Sequence, residues 1–137
     1  MKVLALDHGS ARTGVAVSDP SGTLARPLGV IARIDTPAGM DELVRLVEIE
    51  APERIVVGEP RLMSGHRGAQ ARAARGFARR LRANVPVPVD LLDERLTTAE
   101  ATRRRSEAGL RRGRGPDVDS LAACILLEAY LRGRGGG

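Results

Sequence analysis

Tryptophan is absent from this chain, and aromatic side chains are confined to Phe77 and Tyr130. Two rings cannot make the stacking platform on which single-strand binders lay successive bases. Cysteine is nearly absent as well. Cys124 stands alone, which excludes an internal disulfide and a cysteine-based zinc site. Its setting in the apolar run LAACILLEAYL makes it a packing residue rather than a nucleophile. Histidine occurs only at His8 and His66, too few for a histidine metal cluster. No apolar run reaches the roughly 18 residues that a membrane helix needs, so no membrane partner is expected. No basic-then-apolar leader opens the chain, and the expected compartment is the cytoplasm.

What is present is charge of one kind. The 137 residues carry 22 basic and 17 acidic side chains, a net charge of +5, and Lys2 is the one lysine. Arginine's planar fork pairs well with phosphate, and a pI near 10.8 suits a polyanionic partner. An arginine-biased codon usage would give the same Arg/Lys ratio. With so few aromatics, contacts to backbone phosphate should dominate any nucleic-acid binding.

The pattern predicts a single domain over 1–137, with 132–137 as a disordered tail. VLALD (3–7) and TGVAVSD (13–19) read as strands joined by a loop with Gly9 and Gly14, and TLARPLGVIARI (23–34) as a third strand that Pro27 marks as irregular or edge. Apolar residues at 40, 43, 44, 47 and 51 then recur at helical spacing behind Pro37. RIVVGEP is a short buried strand, and GAQARAARGFARRLRA a helix with Ala71, Ala74, Phe77, Ala78 and Leu81 inward. VPVDLLDE is another strand, TTAEATRRRSEAG a helix, Arg111 to Gly115 a basic loop, and the last helix runs from Asp117, its expected N-cap, to Leu131. The fold class is therefore α/β: a five-stranded mixed sheet, a three-strand meander followed by alternating helices and parallel strands, with helices on both faces.

Asp7, Glu59, Asp93 and Glu94 all fall at carboxyl ends of strands, where sites form in such sheets. Asp119 lies in the first turn of the last helix. Each acid has a plain alternative: a turn cap, a loop start, or a favourable partner for the helix dipole. Glu94 faces the opposite side of its strand from Asp93. Jointly, three acids at the edges of one sheet (Asp7, Asp93 or Glu94, and Asp119) in a chain without cysteine or histidine clusters look like an all-oxygen donor set, which favours magnesium or manganese over zinc. Two such ions, Mg2+ or Mn2+, would activate a water and stabilise the leaving oxygen of a phosphodiester. GSARTG has the outer spacing of a nucleotide P-loop but lacks its Lys-Ser/Thr. His8, beside Asp7, is either a tuning group or an inert neighbour.

Four segments, DHGSARTGVAVSD, GEPRLMSG, DERLTTAEA and DVDSLAACILLEAY, resemble in order and spacing the YqgF/RuvX family of RNase H-like proteins, over nearly the whole chain up to Leu131. The resemblance implies an RNase H-like fold and a three-acid metal site, with Asp7, Glu94 and Asp119 as catalytic and metal-binding residues. It also implies that Asp93 and Arg95 support the site. Arg12, Arg111, Arg112 and Arg114 would bind nucleic acid. The implied activity is a nuclease for structured nucleic acid, processing pre-16S rRNA in ribosome biogenesis. The alternatives are a Holliday junction resolvase-like DNA endonuclease or a non-cleaving binding factor. The partner is thus an rRNA precursor or branched DNA, and the protein a monomer or homodimer. Three departures from the family pattern stand out. Leu62 and Ser64 replace polar loop positions, Gly115-Pro116 stand where lysines usually precede the last acid, and Glu59 replaces an apolar residue. Glu59 is either a second acid near the metal site or a solvent-facing loop residue.

Overall fold

The computed structural model describes residues 1–59, 68–94 and 117–135. Five strands form one sheet: β1 (Val3–Asp7), β2 (Arg12–Ser18), β3 (Ala25–Ala32), β4 (Arg54–Glu59) and β5 (Val89–Asp93). Their order across the sheet is β3-β2-β1-β4-β5. The first three strands are an antiparallel meander, and β4 and β5 are added parallel to β1. The mixed sheet is therefore as expected, with β1 central and β3 on an edge. Pro27 sits in that edge strand, and the β2–β3 register slips between Val15 and Ala16.

Helices α1 (Pro37–Glu50) and α2 (Ala69–Arg82) cover one face, and α3 (Asp117–Gly135) covers the other. α1 starts where Thr36 caps Gly39 N–H at 3.1 Å and Pro37 supplies a preset φ at the first position. The five α2 residues expected to face inward are all buried. α3 begins at Asp117 itself and continues to Gly135, past the expected end at Leu131. Leu126, Leu127 and Tyr130 hold its middle against the sheet, and a helix already nucleated adds one hydrogen bond per further residue.

Strand alternation divides the core. Leu4, Leu6, Ile55 and Val57 face α1 and α2, where Leu43, Val47, Phe77 and Leu81 meet them. Val3, Ala5, Ala16 and Val56 face α3, against Ala123, Cys124, Leu126 and Leu127. At the far end of this second layer Tyr130 donates to Asp90 at 2.6 Å, and Arg54 bonds the same carboxylate at 2.8 Å. That contact holds the Arg54 guanidinium above its ordinary pKa, through the hydrogen bond first and the charge second. Both aromatic rings are buried, so neither is offered to a nucleobase. Cys124 is buried too, and desolvation, with Glu128 nearby, pushes its thiol up to about 11. A thiol so placed is inert at neutral pH. No helix of the described residues is long and apolar enough to cross a membrane.

Candidate functional site

Asp7 ends the central strand and is buried at 4% exposure. In the antiparallel register it stands opposite Gly14 of β2. The parallel register with β4, carried one residue beyond Leu6 and Val57, sets it beside Gly58. Residues paired directly across strands share a face, so Asp7 lies between two glycines on the side that α3 covers.

Each glycine makes room for one of the other two acids. A Cβ at Gly14 would come within 1.9 Å of the backbone oxygen of Asp119, a distance no real side chain tolerates. The missing side chain therefore lets the first turn of α3 settle on β2 beside Asp7. A Cβ at Gly58 would meet the Glu94 carboxyl carbon at 3.0 Å and its Oε1 at 3.1 Å. Glu94, fully buried just past β5, thus lays its carboxylate over β4 in the space that Gly58 leaves. The three predicted acids come from residues 7, 94 and 119 and lie on one face at one end of the sheet.

Asp7 and Asp119 line a shared cavity of about 240 Å3, together with His8, the Gly9–Arg12 turn, Gln70 and Ala73. Arg12 opens β2 and reaches Asp119 through Nε at 3.4 Å, with its own side chain 44% exposed. The turn is tight: Gly9 N–H donates to Thr13 Oγ1 at 3.4 Å, and that hydroxyl returns a bond to Gly9 O at 3.2 Å. A Cβ at Gly9 would lie 2.4 Å from Arg12 O, so glycine is required there.

The donor set has the chemistry that hard divalent cations take, carboxylate oxygens on a partly enclosed wall. Among the described residues, however, no three His, Cys, Asp or Glu side chains stand close enough together to enclose an ion as they are arranged. The residues fit a metal in type and in face, with the Asp119 side chain drawn towards Arg12.

Other predicted residues fall elsewhere. Asp93 pairs with Glu59 in the β4–β5 register, and both lie on the α1–α2 face, with Leu91 and Val57. Glu59 is not a solvent-facing loop residue, one of the two expectations for it. It is 3% exposed, sits on the α1–α2 face by strand alternation, and has Arg75 of α2 at 3.7 Å. Arg95, Arg111, Arg112, Arg114, Leu62, Ser64, His66 and the helix expected over TTAEATRRRSEAG lie outside the described residues.

Two features had no clear signal in the sequence. His8 is neither exposed nor free: its Nε2 bonds both oxygens of Asp35, at 3.2 and 3.1 Å, and its ring stacks on Phe77 at 4.9 Å. Arg80 grips the same Asp35 at 2.6 Å. The residue after Asp7 is thereby tied to α2 and to the β3–α1 loop. Gln70, in the first turn of α2, reaches the cavity from the opposite layer. Separations of 27 and 45 residues explain why local pattern could not reveal the His8–Asp35–Arg80 chain.

Comparison with known proteins agrees with this fold. A family model described as "RuvX: Holliday junction resolvase" matches residues 1–133. A protein of Moorella thermoacetica named "Putative pre-16S rRNA nuclease" is 46% identical over 132 residues, covering 96% of this chain and 94% of that one. One of the same name from Streptomyces avermitilis is 42% identical over 130 residues, covering 93% of this chain and 83% of that one. Among solved structures, Thermus thermophilus RuvC in complex with a Holliday junction substrate superposes with a TM-score of 0.60 at 20% identity, covering 99% and 97% of the two chains. The fowlpox virus resolvase with Holliday junction DNA gives 0.54 at 8% identity, covering 98% and 99%. At these identities the likeness is one of fold, and the fold is RNase H-like.

Proposed function

The chain belongs to the RuvX family, and from that premise we propose that it is a divalent-metal-dependent nuclease acting on structured nucleic acid, with precursor 16S rRNA as its substrate. The observation that carries this reading is the pair of glycines flanking Asp7, which brings Glu94 and Asp119 to the same face of the sheet. Close relatives bearing the pre-16S rRNA nuclease name support the choice of substrate.

Asp7, Glu94 and Asp119 would hold Mg2+ or Mn2+. When bound, such ions supply activation of water and charge neutralisation at the phosphodiester. The chain's own residues do the rest. Buried Asp7 and Glu94 provide a rigid acidic floor, since strand and core fix their backbones. Arg12 pairs with Asp119 at the rim of the cavity, and its half-exposed guanidinium can turn to a phosphate oxygen of the strand being cut. The His8–Asp35–Arg80 chain keeps the turn that carries Arg12 from drifting. Arginines of α2, Arg72, Arg79 and Arg82, are exposed on the helix whose first turn reaches the cavity and would track the sugar–phosphate backbone.

A second reading, cleavage of four-way DNA junctions, is favoured by the family description and by the fold shared with RuvC. The deciding assay incubates purified protein with a precursor rRNA fragment and with a four-way junction, each with and without Mn2+. Cleavage of the RNA that needs metal and falls by more than about 100-fold in Asp7→Asn is the expected result. Preferential cutting of the junction would replace the substrate. Tight binding with no metal-dependent cleavage of either would make the protein a non-cleaving binding factor.

A further inference from the structure

The cavity that holds Asp7 and Asp119 has two unlike walls. On one side stand the two carboxylates and Arg12, the charged groups of the site. On the other stand Gln70 and Ala73, three residues apart on one stripe of α2. The same helix exposes arginine at 72, 79, 80 and 82. Yet of the two α2 residues that line the cavity, the polar one is a neutral amide. Gln70 is itself exposed, so packing does not account for it. An arginine there would add a second phosphate contact. An amide does something else, because its oxygen accepts while its NH2 donates.

We propose that Gln70 reads the ribose 2′-hydroxyl of a nucleotide adjoining the cut and so makes the site prefer RNA. This rests on the nuclease reading of the same cavity. Three parts of a nucleotide could meet the amide: phosphate, base or sugar. Phosphate is served by Arg12 and by the ions that the acids would hold, and a neutral amide adds little to either. A base is placed firmly by a ring to stack on, and both Phe77 and Tyr130 are buried. The cavity, about 240 Å3, is also smaller than the ~300–1,000 Å3 of pockets that enclose a whole small-molecule ligand. It suits a sugar and its phosphate rather than an entire nucleotide. The sugar is left. Its 2′-hydroxyl, a donor and an acceptor at once, distinguishes RNA from DNA, and the amide answers both roles. Arginine, with donors alone, could only donate to it. Ala73, small and on the same stripe, leaves the amide space to turn.

Removing one hydroxyl at a time from the substrate tests it. A precursor rRNA fragment cut by the whole wild-type protein with Mn2+ is remade as a series, each member lacking one 2′-hydroxyl near the cut. The member altered at a nucleotide adjoining the cut should lose about five- to tenfold in kcat/KM, as for one hydrogen bond. Gln70→Leu should lose about as much on the all-ribose RNA and nothing further on that member, because both changes remove one contact. Thermal melts of Gln70→Leu and wild type should coincide, since the side chain is exposed. Additive losses overturn the proposal, as does a wild-type protein indifferent to every deoxy member. A Gln70→Leu defect that follows the base beside the cut, whatever the sugar, overturns it too and makes the amide a base reader. Wild-type protein that leaves the all-ribose RNA uncut is a different failure, that of the nuclease reading itself, and takes the proposal with it.

Discussion

The two faces of the sheet are built to different scales. Towards α1 and α2 the layer is filled with Leu4, Leu6, Ile55, Leu43, Phe77 and Leu81. Towards α3 it is thin, with Ala5, Ala16 and Ala123 among its buried members and Gly14 and Gly58 at the end that holds Asp7. Large side chains bury more apolar area and supply most of the stability, about 25 cal/mol per Å2. Small ones let a helix backbone approach the sheet, as Asp119 O does over Gly14. The acids differ in parallel. On the thick face Glu59 meets Arg75, and Asp35 is shared by His8 and Arg80. On the thin face, Asp7, Glu94 and Asp119 share one end of the sheet with Arg12. One face holds the molecule together, and the other carries the proposed site.

The division can be broken by substitution, and the largest effect should be on stability alone. Leu81→Ala on the thick face should cost about 2–5 kcal/mol in urea denaturation, while cleavage by the folded fraction stays near wild type. Cleavage lost in proportion beyond the unfolded fraction would mean that the faces are not separable. Gly14→Ala should do the reverse. Its methyl meets a backbone oxygen that only a shift of α3 can clear, at about 1–3 kcal/mol of overpacking. Displacing Asp119 by even ~1 Å should lower kcat by about 100-fold.

Gly58→Ala sharpens the contrast at smaller scale. Its contacts, at 3.0–3.1 Å, are all side-chain atoms of Glu94 and Leu126, which can give way. Stability should change by less than about 1.5 kcal/mol, while the Mn2+ concentration for half-maximal cleavage should rise about tenfold. Unchanged metal demand would remove Glu94 from the ion's surroundings. The smallest effect belongs to neither face. Asp19 is held at about 2, below its usual 3.8, first by the Ser21 hydroxyl at 2.5 Å and then by the Leu24 and Thr23 N–H groups. A carboxylate depressed on folding contributes above its unfolded pKa and loses that contribution as pH falls towards the folded one. Acid melts between pH 4 and pH 2 should therefore be slightly shallower in Asp19→Asn than in wild type.

Periodicity sufficed for the scaffold. Strands with apolar residues throughout, and a helix with Ala71, Ala74, Phe77, Ala78 and Leu81 on one stripe, permit few other arrangements. The acids at strand ends were legible for the same reason, because a carboxylate closing an apolar run has few plain explanations. What could not be read was depth. Gly14 looks like a loop boundary in sequence, yet it is a β2 residue directly opposite Asp7. Glu59 carries no mark of lying on the far side of the sheet, which depends on register with β5 and on Arg75 arriving from another helix. The first is a matter of strand register and the second of pairing between distant segments, neither of which local pattern encodes.

Tyr130 is the sole tyrosine in a chain without tryptophan, and its hydroxyl rests on Asp90 at 2.6 Å. The molecule therefore carries one tyrosine fluorophore at one address, and hydrogen bonding to a carboxylate should quench it while α3 is seated. Its emission should brighten when that helix lifts, so the thin layer can be watched through titration with metal or substrate with no label attached.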